Sequence, residues 1–468
     1  MMAVVRPVSE APPVPERWPI MRGPSDDAAL TDHLLKPLLG KTRPWWWVLF
    51  ALSASGTALL IFTIIWTVAR GVGTWGNNIP VAWAFAITNF VWWIGIGHAG
   101  TFISAFLLLL NQRWRGSINR VAEAMTIFAL VNAGLFPVLH LGRPWFLYWL
   151  APYPATTHVW PNFKSALPWD VAAVTAYFIV SLLFWYLGLV PDLATARDRA
   201  TTRVRRVVYG IFAMGWCGSG FQWSRYRVAY MLLAGLATPL VISVHSVVSL
   251  DFSISQLPGW HSTIFPPYFV VGAIYSGLAM VLVLLLPLRR AFRLDDIVTE
   301  RHLDAIAKLM LALGLMLLYS YVIETFMAWY SGNVDERYTY LIARPMGPYS
   351  IVYWAMTALN IATPQLFWVR RFRTNPAVLF LASAGILAGM WMERFVIIVT
   401  SLSRDFLTSS WHSYSPTWVD WGLLAGSCGL FGLLFLLFLR FVPLVAISEV
   451  KRLHLELSTV PMAGEGDA

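Results

Sequence analysis

The stretch VLHLGRPWFLYWLAPYPATTHVWPNFKSALPWD, residues 138–170, joins two long apolar segments of the chain. It contains His140, Arg143 and Asp170 among many Trp, Tyr, Phe and Pro residues. Apolar segments of about 20 residues are long enough to cross a bilayer, and Trp and Tyr concentrate where the bilayer meets water. We therefore expect this stretch to lie at a membrane surface and to hold ionisable groups beside aromatic rings.

The composition of the whole chain is that of a membrane protein. Of its 468 residues, 58% are hydrophobic and only 12% are charged, whereas a soluble domain has about 25% charged residues. Because backbone groups in lipid must find their partners within the protein, we expect the spans to be helices and the fold to be all-α. The predicted polytopic fold has ten spans, at residues 45–69, 79–110, 118–141, 168–190, 226–250, 264–288, 303–330, 346–369, 376–402 and 418–442.

Lysine and arginine residues are concentrated on one side of the predicted membrane domain. They gather in both tails and in the loops after spans 2, 4, 6 and 8, and few lie in the other loops. Because cytoplasmic loops are enriched in Lys and Arg, we expect a cytoplasmic tail at residues 1–44, a membrane domain at 45–445 and a second cytoplasmic tail at 446–468. The net charge of +10 then reflects topology, and we expect no nucleic-acid partner. An apolar segment within residues 203–225 is too short to span and is expected to form an interfacial helix.

The remaining loops are rich in aromatic residues and proline and carry little charge. The ordinary explanation is an aromatic belt, but the loop after span 3 is longer than a belt requires. We therefore expect these loops to bind a permanent partner protein outside the cytoplasm. The only cysteines are Cys217 and Cys428, and the sequence has no multi-cysteine motif, so the chain is not expected to hold a haem of the c type or an iron–sulfur cluster.

Ionisable residues inside the spans are functional candidates, because a charge at the bilayer centre costs about 2.5–3.5 kcal/mol on insertion scales. Depth estimates place most of these residues in the outer half of the membrane. In the inner half they place few ionisable residues other than Asp304 and Lys308. They place the two span histidines at different depths, and Arg394 is expected to pair with a carboxylate from another span. The candidates are His98, His140, Asp170, His245, Asp251, Glu324, Glu393 and Arg394.

Each candidate also has a simpler explanation. His140 and Asp170 sit at helix ends and could be caps, and His98 and His245 could be hydrogen-bonded core histidines. Their gathering near one face suits oxidation of a quinol, which needs hydrogen-bond partners for two ring oxygens, a proton acceptor and an apolar cleft. Two further classes remain open. A secondary transporter would need polar groups near the midplane, and a haem b protein would use His98 and His245 as axial ligands.

The motifs LHLGRPW, PWD before span 4 and WMERF in span 9 resemble the NrfD/polysulfide-reductase family of membrane subunits. They are most similar to the quinol-binding ActC-type subunits of bacterial alternative complex III. The resemblance implies two four-helix bundles, spans 2–5 and 6–9, flanked by spans 1 and 10. It also implies a multi-pass subunit of the bacterial inner membrane that is active only within a respiratory enzyme complex. Menaquinol or ubiquinol would be its substrate, and the chain would hold no cofactor of its own.

The resemblance also assigns residues and partners. It implies a quinol site of His140, Asp170, Asp251 and Arg394, in which His140 and Asp170 are catalytic. A proton path would use His98, His245, Glu324 and Glu393. The implied partners are an extracytoplasmic iron–sulfur subunit, multihaem and monohaem cytochrome c subunits, and a second NrfD-like membrane subunit. Another family member that reduces quinone instead of oxidising quinol remains an alternative.

Overall fold

A computed structural model describes residues 20–21, 26–150 and 165–459. The predicted tails and the long loop of the opening stretch therefore fall partly outside the described residues. The helices are α1 Asp27–Leu39, α2 Pro44–Arg70, α3 Phe85–Leu109, α4 Asn119–His140, α5 Ala166–Arg199, α6 Arg203–Phe212, α7 Gly220–Ser253, α8 Phe265–Ala291, α9 Glu300–Tyr330, α10 Val334–Tyr338, α11 Arg344–Met346, α12 Ser350–Thr357, α13 Arg370–Arg373, α14 Pro376–Phe395, α15 Ser401–Ser403, α16 Trp418–Phe441 and α17 Ile447–Thr459.

Within these residues, nine helices are long and apolar enough to cross a membrane, which confirms the predicted all-α polytopic fold. They are α2, α3, α4, α5, α7, α8, α9, α14 with its continuation to Ser403, and α16. Helices α3, α4, α5 and α7 pack together as a first group. In a second group α8 packs with α9 and α14, and α12 packs on α14. Helix α3 joins the two groups because it packs on both α7 and α8, and α2 pairs with α16.

The eighth predicted span, residues 346–369, is not one regular helix. Helix α12 passes into a π-helical turn at Ala358–Ala362 and then into a 3₁₀ turn at Thr363–Trp368. Pro364 has no backbone N–H to donate and crowds the preceding turn, which is enough to break a regular helix. The segment therefore does not count among the nine long helices, and its π turn buries Asn360 inside the second group.

Two faces of the molecule follow from the antiparallel order of the spans. We call the end formed by α1, α6, α17 and the connections 110–118, 292–299 and 369–375 the basic face. The opposite end, formed by the connections 71–84, 141–150, 254–264, 331–349 and 404–417, is the aromatic face. Helix α6 lies within the segment predicted as interfacial, and its apolar side chains Val204, Val207 and Ile211 are exposed. Such a surface suits the boundary between lipid and water.

The pairing of α2 with α16 depends on glycine. A Cβ atom added to Gly429 would lie 2.6 Å from the Cα of Gly56, and one added to Gly426 would lie 2.7 Å from the Cα of Leu60. The two backbones are therefore in direct contact. Small residues permit this approach between membrane helices, where lipid supplies no hydrophobic drive to associate.

Gly429→Leu should separate α2 from α16 and lower the melting temperature of the detergent-solubilised protein. Overpacking of a close contact costs about 1–3 kcal/mol, and here the obstacle is backbone that cannot move aside. Gly235→Leu is the matched control, because a Cβ at Gly235 on α7 meets no atom within 4 Å. We expect this control to be neutral or slightly stabilising. Equal melting of the two variants would show that the glycine contact does not hold the pair together.

Candidate functional site

Three of the predicted site residues present buried polar atoms at the aromatic face. His140 ends α4, Asp170 lies in the first turns of α5, and Asp251 lies near the end of α7. The Nδ1 of His140 and the Oδ1 atoms of both aspartates are buried and have no hydrogen-bond partner among the described residues. Most buried polar atoms in folded proteins are hydrogen-bonded, so these three atoms are candidates for contact with a bound molecule.

Local sequence explains how His140 and Asp170 are presented. Gly142 follows the end of α4 with a φ of 71°, a conformation that glycine adopts without strain, and the chain turns there. Ser165 caps α5 by accepting a hydrogen bond from the Leu167 N–H. The carboxyl groups of Asp170 and Asp251 are close enough to act on each other electrostatically, and neighbouring buried carboxylates repel when both are ionised.

Aromatic rings border this cluster. The ring of Trp75 lies 6.1 Å from the His140 ring at 28°, and Trp83 meets His140 edge-on at 6.2 Å. Trp83 also contacts Phe252 at 5.9 Å and Trp260 at 5.8 Å. His140 is therefore accompanied by flat apolar surfaces that continue to Phe252, the residue after Asp251 in the chain. Flat apolar surfaces next to polar groups are the features that recognise an aromatic ligand with polar groups on its ring.

Arg394 lies beside this aromatic group and not among the three polar residues. Its guanidinium carbon is 4.2 Å from the ring centre of Phe269, and Phe269 contacts Phe252 at 5.8 Å. The prediction that Arg394 pairs with another span is wrong, because its Nη1 is 2.9 Å from the Oε1 of its neighbour Glu393. Gly272 leaves room for this arrangement, since a Cβ there would be 3.0 Å from the guanidinium.

His98 and His245 form a buried pair in the first helix group. Their Nδ1 atoms are 2.8 Å apart, and Tyr177 donates to the carbonyl oxygens of Gly97 and His98 at 3.1 Å. The prediction of different depths is therefore wrong. Helix α7 has 34 residues, far more than a bilayer requires, so counting residues from its end does not fix depth. The Nε2 atoms of both histidines are buried without a partner among the described residues.

Glu393 belongs to a buried network in the second helix group. Tyr321 donates a hydrogen bond to Glu393, and the side-chain amide of Asn360 donates to the Tyr321 hydroxyl at 3.0 Å. Asn360 sits in one π turn, and a second π turn, Val396–Thr400, begins just after Arg394. Such turns are rare and are frequent at functional sites.

Glu324 lies in a neighbouring network that reaches the aromatic face. Tyr340, in a third π turn, donates to Glu324 at 3.1 Å. The guanidinium of Arg344 stacks 4.0 Å from the Tyr340 ring and donates to the Gly259 carbonyl at 3.0 Å. Glu336 accepts from the Gly259 N–H at 3.1 Å. Burial raises the pKa of Glu336, although this N–H and Arg344 act to lower it.

The turn at Gly259 connects this network to the aromatic rings near His140. Trp260 follows Gly259 in the chain and contacts Trp83, and its indole N–H donates to the carbonyl of Ile397 at 2.7 Å. Ile397 lies in the π turn after Arg394. A single turn therefore contacts the rings beside the candidate site, the network of Glu324 and the π turn that follows Arg394.

A buried ionic cluster near the basic face was missed by the sequence reasoning. The guanidinium of Arg120 is 3.0 Å from the carboxylate of Glu123 and 2.9 Å from that of Asp192, and these three side chains are fully buried. Arg120 also donates to the carbonyl of Gly188. The expectation that the inner half holds few ionisable groups is wrong. The i, i+3 spacing of Arg120 and Glu123 near the start of span 3 is the signal that could have revealed them.

Arg115 extends this cluster toward the C-terminal helix α17. Its guanidinium is 2.6 Å from the carboxylate of Glu449 and donates to the hydroxyl of Tyr230 at 2.6 Å. Ser104 donates to Glu123 at 2.5 Å. Burial by itself would lower the pKa of Arg115, but the neighbouring carboxylates outweigh it and raise this pKa above its ordinary value. The cluster ties α3, α4, α5, α7 and α17 together, which indicates a structural role.

Comparisons with known proteins agree with this architecture. The dimethyl sulfoxide reductase membrane subunit inferred for Halobacterium salinarum is 25% identical over 81% of this chain and 82% of its own length. The Hdr-like menaquinol oxidoreductase integral membrane subunit of Archaeoglobus fulgidus is 22% identical over 76% and 79%. A selenate reductase subunit of Mesobacillus selenatarsenatis is 21% identical over 75% and 83%. The profile of the polysulphide reductase NrfD family matches residues 73–404, which is more than half of the chain, and the protein therefore belongs to that family.

Proposed function

We propose that this chain is the quinone-reactive membrane subunit of an oxidoreductase complex, and that it oxidises quinol at the aromatic face. The observation that carries the proposal is that His140, which lies beside flat aromatic rings, and Asp170 and Asp251 each present a buried polar atom with no hydrogen-bond partner in the part of the chain that the structure describes. The relatives support a redox role, since one is named as a menaquinol oxidoreductase subunit and another as a selenate reductase subunit.

Oxidation of a quinol to a quinone releases two electrons and two protons. In the proposed reaction the His140 imidazole accepts a hydrogen bond from one ring hydroxyl, and the Asp170 and Asp251 carboxyls serve the other. A carboxylate is the proton acceptor, and the rings of Trp75 and Trp83 hold the quinol plane. Both electrons leave to an iron–sulfur protein bound at the aromatic face, and the protons leave to the water on that side.

The other predicted site residues take supporting roles in this proposal. Arg394 contacts Phe269, which in turn contacts Phe252, and Arg394 would act on the quinol through its charge. The His98–His245 pair, Glu393 and Glu324 form buried polar groups that a proton could use. They are proposed as a path for protons through the membrane domain, distinct from the acceptor residues at the quinol.

The complex is proposed to be of the alternative complex III type, in a bacterial inner membrane with both termini in the cytoplasm. Its other subunits would be the iron–sulfur protein, multihaem and monohaem cytochromes c and a second NrfD-like membrane subunit. Purification of the intact complex tests this assignment, because cytochromes c among its subunits would support it. Co-purification with a terminal reductase and no cytochrome c would instead favour a complex in which quinol feeds that reductase, which the names of two relatives also suggest. Co-purification with an enzyme that supplies electrons would favour the reverse reaction, quinone reduction.

His140→Ala should lower quinol-dependent reduction of the partner by about ten- to a hundredfold, because a hydrogen-bond acceptor for the reacting hydroxyl is lost. The measurement is steady-state reduction of the partner's redox centre in the purified complex. His412→Ala is the matched control, since His412 is an exposed histidine at the same face. Full turnover in His140→Ala, with assembly intact, would remove His140 from the site.

A further inference from the structure

A small cavity at the basic face lies between the end of α1, the start of α2 and the end of α16. Its volume is about 260 Å³. Basic and aromatic side chains make up most of its lining. Among the described residues, no carboxylate lines it. The residues that matter here are His33, Lys36, Lys41, Arg43, Trp45 and Arg440. The cavity therefore concentrates positive charge without compensation.

Two of the cations are fixed by backbone groups. Arg440 donates through Nη1 to the carbonyls of Pro37, Leu38 and Gly40 at 3.0–3.2 Å, and Arg43 donates to the carbonyl of Ala291 at 2.5 Å. Carbonyl oxygens satisfy hydrogen-bond donors but do not neutralise a full positive charge. Both arginines therefore stay available for a negatively charged partner while their positions are held.

Lys36 and Lys41 supply exposed charge to the lining of the cavity. Both side chains are exposed, and neither makes an ion pair or side-chain hydrogen bond within the described part of the chain. Arg205 of the amphipathic helix α6 adds a further cation nearby, since it donates to the Leu39 carbonyl at 3.1 Å. The acid closest in sequence, Asp32, is already paired with Arg199 at 2.8 Å.

The cavity lies at the level where the protein enters the membrane. Next to it, Trp47 is 58% exposed, Val48 is 68% exposed and Phe441 is 58% exposed. Helix α6 is attached at the same level, because Tyr209 donates to the Phe441 carbonyl at 3.4 Å. Apolar surface that lipid tails can cover thus begins directly beside a cluster of cations. This order matches a phospholipid, in which the acyl chains begin directly beside the charged headgroup.

We propose that this cavity binds the phosphate group of an anionic phospholipid from the adjoining leaflet. Lys36, Lys41, Arg43 and Arg440 contact the headgroup, and its acyl chains run along Trp47 and the neighbouring apolar surface of α2. Basic pockets of this kind between membrane helices are known to hold acidic lipid headgroups. A larger cavity of about 650 Å³ on the same face fits less well, because Glu449 and Glu456 line it together with its arginines.

The test is native mass spectrometry of the delipidated full-length protein, titrated separately with phosphatidylglycerol, phosphatidylcholine and inorganic phosphate. We expect at least tenfold tighter binding of phosphatidylglycerol than of phosphatidylcholine. The double variant Lys36→Gln/Lys41→Gln should weaken phosphatidylglycerol binding about thirtyfold, since each cation near a charged lipid contributes about 1 kcal/mol. Arg113→Gln/Arg227→Gln, in the larger cavity, is the matched control and should bind as the parent protein does.

Equal binding of the two lipids, or unchanged phosphatidylglycerol binding in the lysine variant, would overturn the proposal. Displacement of phosphatidylglycerol by inorganic phosphate at a similar concentration would also overturn it, because the site would then recognise a free anion. Lys36→Arg/Lys41→Arg keeps both charges and should bind as the parent does, which separates lost charge from damaged folding. Failure of this charge-retaining variant to bind phosphatidylglycerol would count against the proposal as well.

Discussion

Asp170→Asn should lower quinol-dependent electron transfer by at least about a hundredfold while the complex still assembles. The amide has the size and shape of the carboxyl group, so packing in the first turns of α5 is retained. It cannot accept a proton, and loss of a positioned proton acceptor typically costs about 10²–10⁴ in rate. The measurement is turnover of the purified complex with a short-chain quinol, with kcat and KM determined separately.

The expected pattern separates chemistry from binding. A fall in kcat with little change in KM supports proton transfer to Asp170, whereas a rise in KM alone indicates a binding role. Asp335→Asn makes the same chemical change at an exposed position of the aromatic face and should leave turnover unchanged. If Asp170→Asn keeps full activity, the proton acceptor of the proposed reaction lies elsewhere.

Arg120→Met should destabilise the protein more than Gly429→Leu does. It removes the only cation in direct contact with the carboxylate of Asp192 among the described residues and one of two beside Glu123. Removal of one member of a buried ionic group costs about 3–5 kcal/mol, because the remaining charges stay buried without compensation. Thermal unfolding of the detergent-solubilised protein, followed by loss of monodisperse material, measures the effect.

Arg452→Met provides the comparison for this substitution. Arg452 pairs with Glu456 at 2.9 Å, but its side chain is 70% exposed. Such a surface pair contributes at most about 0.5 kcal/mol, so this variant should melt with the parent protein. Similar melting of both variants would mean that the buried cluster is not needed for stability and would reopen a functional role for Arg120.

Hydropathy predicted the spans well because the cost of exposing polar backbone to lipid acts on every segment alike. It failed at residues 346–369, where π and 3₁₀ turns replace a regular helix. Apolar composition reports whether a segment can enter a membrane but not how its backbone is wound. Pro364 marks the irregularity, yet proline is tolerated in membrane helices, so its presence alone did not predict a break.

The site was predictable where local motifs carry it and hidden where distant segments meet. The motifs HLGRPW and PWD pointed to His140 and Asp170, each of which has a buried polar atom without a hydrogen-bond partner among the residues that the structure describes. The rings of Trp75 and Trp83 come from the connection before α3, and only tertiary packing brings them to His140. The His98–His245 contact was missed for the same reason, since depth was counted along each helix separately.

The contact of Gly56 with Gly429 has a consequence for biogenesis. Helix α2 is made early, but the helix on which it packs emerges only after about 350 further residues, which takes on the order of 20–70 s at ordinary translation speeds. During that interval the surface of α2 around Gly56, in the bilayer or at the insertion machinery, has not yet met α16. Helix α2 therefore cannot reach its final place until α16 has been made, and the joining of these two helices is a late step in assembly of the described membrane domain.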